Sequence, residues 1–291
     1  MTEDASIKDL FGNDDQEAMY QEALRVPLAD KIQMAIGLIQ LYEPSALRLS
    51  EDGYYVCFSG GKDSIVMAKL FEMAGVKYTL NYSNVTIDPP ELVQFIKREY
   101  PQAIWHSQGK PLPLAMADKS CGPPTRLIRW CCQLYKEQGG NGLFKAIGVR
   151  AAESARRKGL WKHNNNNNNN NGGYILCPIL YWTDADVWEF IRQNEMKYCQ
   201  LYDEGFTRLG CVGCPMGGKN RFKEFQRWPK YEALWKRGFK AYFDKYKGTL
   251  TKAGKERSLE KFETVDDLWN WWMSDKSVND TDQPDCQMYL W

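Results

Sequence analysis

Ser59-Gly60-Gly61-Lys62-Asp63-Ser64 stands directly after the apolar run Tyr54-Tyr55-Val56-Cys57-Phe58 and directly before Ile65-Val66-Met67-Ala68-Lys69-Leu70-Phe71, which has helical spacing. A strand that turns through two glycines into a helix start aims several unpaired backbone N–H groups and the positive end of the helix dipole at one point. That point suits an anionic phosphate. Lys62 adds a full positive charge, Ser59 and Ser64 add hydroxyl donors, and Asp63 sets a carboxylate among them, so the six residues have the parts of a pyrophosphate clamp. A plain strand-to-helix turn needs the glycines for their dihedral freedom and nothing else. The spacing also differs from the Walker loop, which argues against a P-loop kinase or GTPase.

Outward from this loop the chain alternates. Ala29 to Leu41 has helical apolar spacing, Val76 to Tyr82 reads as a strand, Pro89-Pro90 opens a helix to about Tyr100, and Ala103 to His106 reads as a short strand. The order β-α-β-α-β predicts an α/β fold, a parallel twisted sheet with right-handed crossovers, flanked by helices. Phe144–Val149 and Tyr174–Leu180 supply further strands. Thr183-Asp184-Ala185-Asp186 sets an N-cap and first-turn acids before Val187-Trp188-Glu189-Phe190-Ile191, so a helix starts there. From Gly217 the composition turns to Trp, Tyr, Phe, Lys and Arg at helical spacing. The expected organisation is an N-terminal helical segment over 1–45, a nucleotide-binding domain over 46–216 and a helical C-terminal region over 217–291, its polar end from Ser274 to Pro284 mobile.

With 38 basic and 37 acidic residues the chain of 291 carries a formal charge of +1, so no global field draws it to nucleic acid or membrane. No apolar run of about 18 residues suggests a membrane span, and the acidic start Met1-Thr2-Glu3-Asp4 is unlike a secretory signal. A cytoplasmic protein is the expectation. The eight consecutive asparagines Asn164–Asn171 read as a surface loop with no regular element.

Nine cysteines, an odd number without a signal peptide, point to metal or redox chemistry rather than disulfides. Cys131 and Cys132 are adjacent, and a long interval later Gly210-Cys211-Val212-Gly213-Cys214-Pro215 forms a CxxC loop able to turn two thiolates toward one centre. Adjacent side chains diverge, which suits a cube of several irons better than one tetrahedral zinc. A [4Fe–4S] cluster on Cys131, Cys132, Cys211 and Cys214 is the leading reading, with zinc and unligated or redox thiols as alternatives.

Gly148-Val149-Arg150-Ala151-Ala152-Glu153-Ser154-Ala155-Arg156-Arg157 follows a predicted strand, where α/β proteins bind ligands, and its arginine forks suit phosphate or sulfate oxygens. Arg129, just before the cysteine pair, is a further candidate for holding a nucleotide. The segment Lys219-Asn220-Arg221-Phe222-Lys223 through Trp235-Lys236-Arg237 interleaves basic and aromatic residues. That pattern suits either a nucleic-acid contact or a packed helix with a solvated basic face.

SGGKDS after a strand resembles the PP-loop of the ATP-pyrophosphatase superfamily, whose members cleave ATP between the α and β phosphates. The Gly-Val-Arg-x-x-x-Ser-x-x-Arg segment, with Arg150, Ser154 and Arg157 in the matching positions, is similar to the phosphoadenosine-phosphosulfate (PAPS) reductase family. So is the run from Leu180 through Leu201-Tyr202-Asp203-Glu204-Gly205-Phe206 to Cys211. The cysteine pattern is similar to that of the assimilatory adenylyl-sulfate reductases, whose cluster uses all four. The resemblance implies an adenine nucleotide α-hydrolase-like fold, binding of ATP or of the sulfonucleotides APS and PAPS, and sulfur chemistry.

Two reactions compete within it. Reductases attack sulfur with a C-terminal thiol in Glu-Cys-Gly-x-His, but this chain ends Asp285-Cys286-Gln287-Met288-Tyr289-Leu290-Trp291, leaving Cys286 a weakened candidate nucleophile. The complete PP-loop instead is similar to ATP-using relatives, the nucleotide-binding subunit of sulfate adenylyltransferase and the DNA-phosphorothioation sulfurtransferase. On that reading Ser59, Gly60, Gly61 and Ser64 hold β/γ phosphates, Lys62 neutralises the leaving pyrophosphate, Asp63 helps place Mg²⁺, and Arg150 with Arg157 binds the α-phosphate or substrate anion. A sulfur donor or a thioredoxin-like reductant is the expected partner, and the oligomeric state stays open, a homodimer included.

Overall fold

The computed structural model describes residues 20–153, 164–166 and 173–274. These residues form two compact units: one within Met1–Tyr82, Glu91–Trp105 and Gly140–Arg208, the other within Ser83–Pro90, His106–Gly139 and Leu209–Trp291.

The first unit is built on the strands β1 (Tyr54–Phe58), β2 (Tyr78–Asn84), β3 (Ile104–Ser107), β4 (Phe144–Ala146), β5 (Asn164–Asn166) and β6 (Tyr174–Leu176) in the spatial order β3-β2-β1-β4-β6-β5. β1 pairs in parallel with β2, Tyr54 opposite Tyr78, and with β4, Val56 opposite Ala146; β4 pairs in parallel with β6. Parallel strands buried on both faces read as continuous apolar runs rather than alternating ones. Tyr54, Val56 and Phe58 on one face of β1 and Tyr55 on the other are all buried accordingly.

The helices that cover this sheet are α1 (Leu28–Leu49), α2 (Lys62–Ala74), α3 (Pro90–Glu99) and α4 (Asp184–Gln193). α1 runs well past the expected Leu41 and carries Pro44 inside it, because Ile39 and Ala46 on either side of the proline are both fully buried. Core burial of this kind offsets the lost N–H of proline. α2 buries Ile65, Val66, Met67, Leu70 and Phe71, and Phe71 meets the Tyr54 ring edge-on at 5.1 Å. α4 starts on the expected cap: Thr183 Oγ1 accepts the Asp186 N–H (3.1 Å), and Asp186 Oδ2 accepts the Thr183 N–H (2.7 Å).

Two expectations need correction. Asn164–Asn166 is not loop but a strand, antiparallel to β6, with Asn165 opposite Ile175. A sheet edge supplies backbone partners to any side chain, so composition did not forbid it. β4 and β6 are also shorter than their apolar runs. After Ala146 the chain closes on α2, where a Cβ on Gly148 would lie 3.2 Å from the Asp63 carbonyl oxygen.

The second unit is helical in its C-terminal part, with α5 (Asn220–Arg227), α6 (Pro229–Tyr246) and α7 (Val265–Ser274). Its core is aromatic: Trp235 and Trp272 lie 5.0 Å apart, and Phe239 meets Trp269 at 5.2 Å and Trp272 at 5.1 Å. Gly238 lets α6 approach the turn Leu112–Ala115, since a Cβ there would fall 2.1 Å from Pro113 O. Of the stretch expected to be mobile, everything from Asp275 on lies outside the described residues. Among the described residues no helix is long and apolar enough to cross a membrane.

Candidate functional site

The strand order reverses between β1 and β4, because the chain runs outward through β2 and β3 on one side and through β6 on the other. In open parallel sheets the crevice beyond the carboxyl ends of the strands at such a switch point is where ligands bind. Ser59–Ser64 leaves β1 there, and Arg150 leaves β4 there.

The loop is held by its own polar groups. The Ser64 hydroxyl donates to Gly61 O (2.9 Å) and accepts the Ser59 N–H (3.2 Å), while Ser59 Oγ accepts the Gly61 N–H (3.4 Å). Gly60 has φ +71°, and a Cβ on it would lie 2.6 Å from Ile96 Cγ1, so glycine is required there on two counts. α2 then begins without a side-chain cap from Gly61, and the Ser64 and Ile65 N–H groups return to Gly61 O (3.0 Å each).

Behind the loop lies an ion network that joins three distant segments. Arg150, only 3% exposed, donates from Nε to Asp63 Oδ1 (2.6 Å), from Nη2 to Asp184 Oδ1 (2.8 Å) and from Nη1 to Trp182 O (3.4 Å). Lys62, 6% exposed, sets its ammonium 3.5 Å from Asp63 Oδ2 and 3.3 Å from Asp184 Oδ1. Burial works against the Arg150 charge, but Asp63 and Asp184 outweigh it and raise its pKa. The Asp184 side chain is 64% exposed and is the open side of the network. Two groups here were not singled out by sequence reasoning: Asp184, seen only as a first-turn acid, and Tyr202, whose hydroxyl accepts the Lys62 N–H at 2.8 Å.

The cysteines lie in the second unit. Cys131 and Cys132 sit on the helical turn Trp130–Cys132, which continues as a π-helical turn over Gln133–Glu137. Cys211 and Cys214 flank a tight knuckle. Gly213 at its tip has φ +76°, and a Cβ would strike Phe225 at 2.4 Å; its N–H donates to Glu224 Oε2 (2.7 Å). Val212 is fixed on both sides, donating to Ile87 O (2.8 Å) and accepting the Trp235 indole N–H (3.0 Å). All four thiols are free and act on one another electrostatically. A hydrogen bond from Cys131 holds the Cys132 thiol below its ordinary range and raises that of Cys131, with Arg129 and Lys136 adding to the lowering. Burial pushes the Cys211 thiol up against the pull of Lys136. Arg129 Nη2 lies 3.4 Å from Cys132 Sγ, and its buried Nε has no partner among the described residues. Among those residues no three His, Cys, Asp or Glu side chains converge as the ligands of one ion do.

Ser154, Arg157 and Cys286 lie outside the described residues. In the segment 219–237, Phe225, Trp228 and Trp235 are buried, and Arg221 is enclosed, donating to Trp272 O (3.0 Å) and Met273 O (3.3 Å). Lys219, Lys223, Lys230, Lys236 and Arg237 stay exposed.

Residues 53–216, more than half of the chain, match the family described as the phosphoadenosine phosphosulfate reductase domain. The chain belongs to that family. The PAPS reductase match spans the PP-loop, Arg150, Asp184, Tyr202 and all four cysteines of the two clusters. An uncharacterized protein of Methanocaldococcus jannaschii is 27% identical over 72% of this chain and 48% of its own length. The adenosine 5'-phosphosulfate reductase of Anoxybacillus flavithermus is 27% identical over 57% of this chain and 73% of its own. The chain thus spans about half the length of the first curated relatives it matches. Among solved structures, the PAPS reductase of Candida auris in its phosphate complex superposes with a TM-score of 0.42 at 14% identity, covering 69% of this chain and 95% of that one.

Proposed function

We propose that the chain is an ATP-using enzyme of the PAPS reductase family that cleaves the α–β phosphate bond and so activates an acceptor for sulfur transfer. The observation that carries this reading is a complete PP-loop whose buried Lys62 ammonium is held beside Asp63 and Asp184. A sulfonucleotide has no pyrophosphate to leave, and a positive charge placed at the loop is of most use where one departs. On this reading the acceptor attacks the α-phosphorus, pyrophosphate leaves along the loop N–H groups and Lys62, and a sulfur nucleophile then displaces AMP.

Arg150 has all three guanidinium nitrogens engaged, which supports a role behind the loop, orienting Asp63 and Asp184, more than direct contact with the α-phosphate. Both Asp63 oxygens are likewise taken, so Mg²⁺ riding on the phosphates finds its carboxylate more readily at the exposed Asp184. In the second unit the donor set fits an iron–sulfur cluster: four free thiols, one of them thiolate-prone, with Arg129, whose buried Nε has no partner among the described residues, beside Cys132. Cys131, Cys132, Cys211 and Cys214 would hold it. Bound there, a [4Fe–4S] cluster would supply an iron-rich centre with affinity for sulfur.

The second reading, a sulfonucleotide reductase working with a thioredoxin-like reductant, is favoured by the likeness to the Anoxybacillus flavithermus enzyme. Replacing the one C-terminal thiol separates the two. Cys286→Ser abolishes sulfite release under the reductase reading and leaves ATP cleavage intact under the first.

A further inference from the structure

The Tyr202 hydroxyl stands where a ligand is expected. The N–H groups of Ser64 and Ile65 turn back onto Gly61 O (3.0 Å each), so the Lys62 N–H, the first of α2, is among the donors that point out of the loop. The Tyr202 oxygen accepts it at 2.8 Å, a distance an anionic oxygen takes at a helix start.

Nothing about the tyrosine looks incidental. Its ring is held edge-on by Trp188 at 5.1 Å and by Tyr198 at 6.3 Å, and Tyr198 is tied in turn to Asp203 Oδ1 (3.0 Å). The preceding Leu201 is fully buried and anchors the turn Gln200–Tyr202. Burial keeps the Tyr202 hydroxyl protonated well beyond neutral pH, so the oxygen presented to the loop is neutral. A neutral hydroxyl is a weaker acceptor for a helix N-terminus than a phosphate oxygen.

We infer that Tyr202 is an internal stand-in for a phosphate oxygen, which holds the Lys62 N–H and is displaced when pyrophosphate-bearing nucleotide binds. The inference rests on the reading of Ser59–Ser64 as a pyrophosphate site and adds what its ligand displaces. Pyrophosphate brings its oxygens to the loop and replaces the hydroxyl at a gain, whereas a nucleotide whose single phosphate lies outside the loop leaves the hydroxyl in place.

The test uses the full chain with inorganic pyrophosphate, Mg·ATP and AMP as probes in titration calorimetry. Tyr202→Phe keeps the ring against Trp188 and removes only the competing oxygen. It is expected to bind pyrophosphate and Mg·ATP about three- to ten-fold more tightly than the parent, the range one net hydrogen bond allows, with AMP unchanged. Weaker or equal pyrophosphate binding by Tyr202→Phe overturns the stand-in role, because the hydroxyl would then be a ligand of the phosphate or a bystander. Failure of the parent itself to bind pyrophosphate overturns the underlying site as well, so the two failures are distinguishable. If the variant does not fold, the parent labelled at the tyrosine ring carbons decides: saturating pyrophosphate shifts the Tyr202 Cζ resonance, and an unmoved resonance refutes the displacement.

Discussion

Arg150 Nε donates to Asp63 Oδ1 at 2.6 Å, tying a residue four positions past the end of β4 to the second residue of α2. The bond joins the two chain segments on either side of the switch point, and Nη2 extends the tie to Asp184. Arg150→Ala leaves Asp63 without its buried partner and should lower stability by about 1–3 kcal/mol, below the figure for fully buried pairs because Asp184 is solvated. Arg150→Lys should recover little, since one ammonium cannot span Asp63, Asp184 and Trp182 O together. Thermal unfolding of the three proteins checks this.

Gly60 and Gly75 both have positive φ, but only one is crowded. A Cβ on Gly75 meets nothing within 4 Å, while on Gly60 it meets Ile96 Cγ1 at 2.6 Å. Gly75→Ala should therefore cost about 1 kcal/mol from backbone strain alone, and Gly60→Ala about 2–4 kcal/mol, strain plus overpacking. Denaturant midpoints measure both, and equal costs would mean the loop relaxes freely.

Acid should loosen α4. Burial alone would raise the Asp186 carboxyl, but hydrogen bonds from Lys31 (2.7 Å) and Thr183 outweigh it and hold it below the ordinary carboxylate range. A lowered folded-state pKa means the contribution is present above the unfolded value, near pH 4, and is lost as pH falls through the folded one. Asp186→Asn should be less stable than the parent at pH 7, by about 1 kcal/mol, and the gap should close below about pH 4.

The cysteine reading is checked by iron. Anaerobically prepared protein should be brown and carry about four irons per chain. Cys131→Ser or Cys214→Ser should lose iron and colour, while Cys57→Ala, in β1 of the other unit, should keep both. A colourless protein with one zinc would contradict the cluster.

The loop was legible because everything that makes it is local: a strand, two glycines, a lysine and a helix in immediate succession. Arg150 was legible for the same reason, as a charge just past a strand. Asp184 and Tyr202 were not, since what marks them is a contact made through the fold, Tyr202 to the Lys62 N–H and Asp184 to Arg150. Asn164–Asn166 was not legible as a strand because a sheet edge bonds backbone and ignores side chains. In the segment 219–237 the pattern had allowed two outcomes. Burial of Trp228 and Trp235 came from the demand of a helical unit for an aromatic core, which no local pattern announces.

The central claim is that Ser59–Ser64 serves an ATP whose pyrophosphate departs. Anaerobic protein given Mg·ATP labelled at the α-phosphate, with water as the slow default acceptor, decides it by product analysis. Labelled AMP with equimolar pyrophosphate is the expected result, lost in Lys62→Ala. Label that stays in ATP, while a sulfonucleotide given to the same protein releases sulfite, would contradict it.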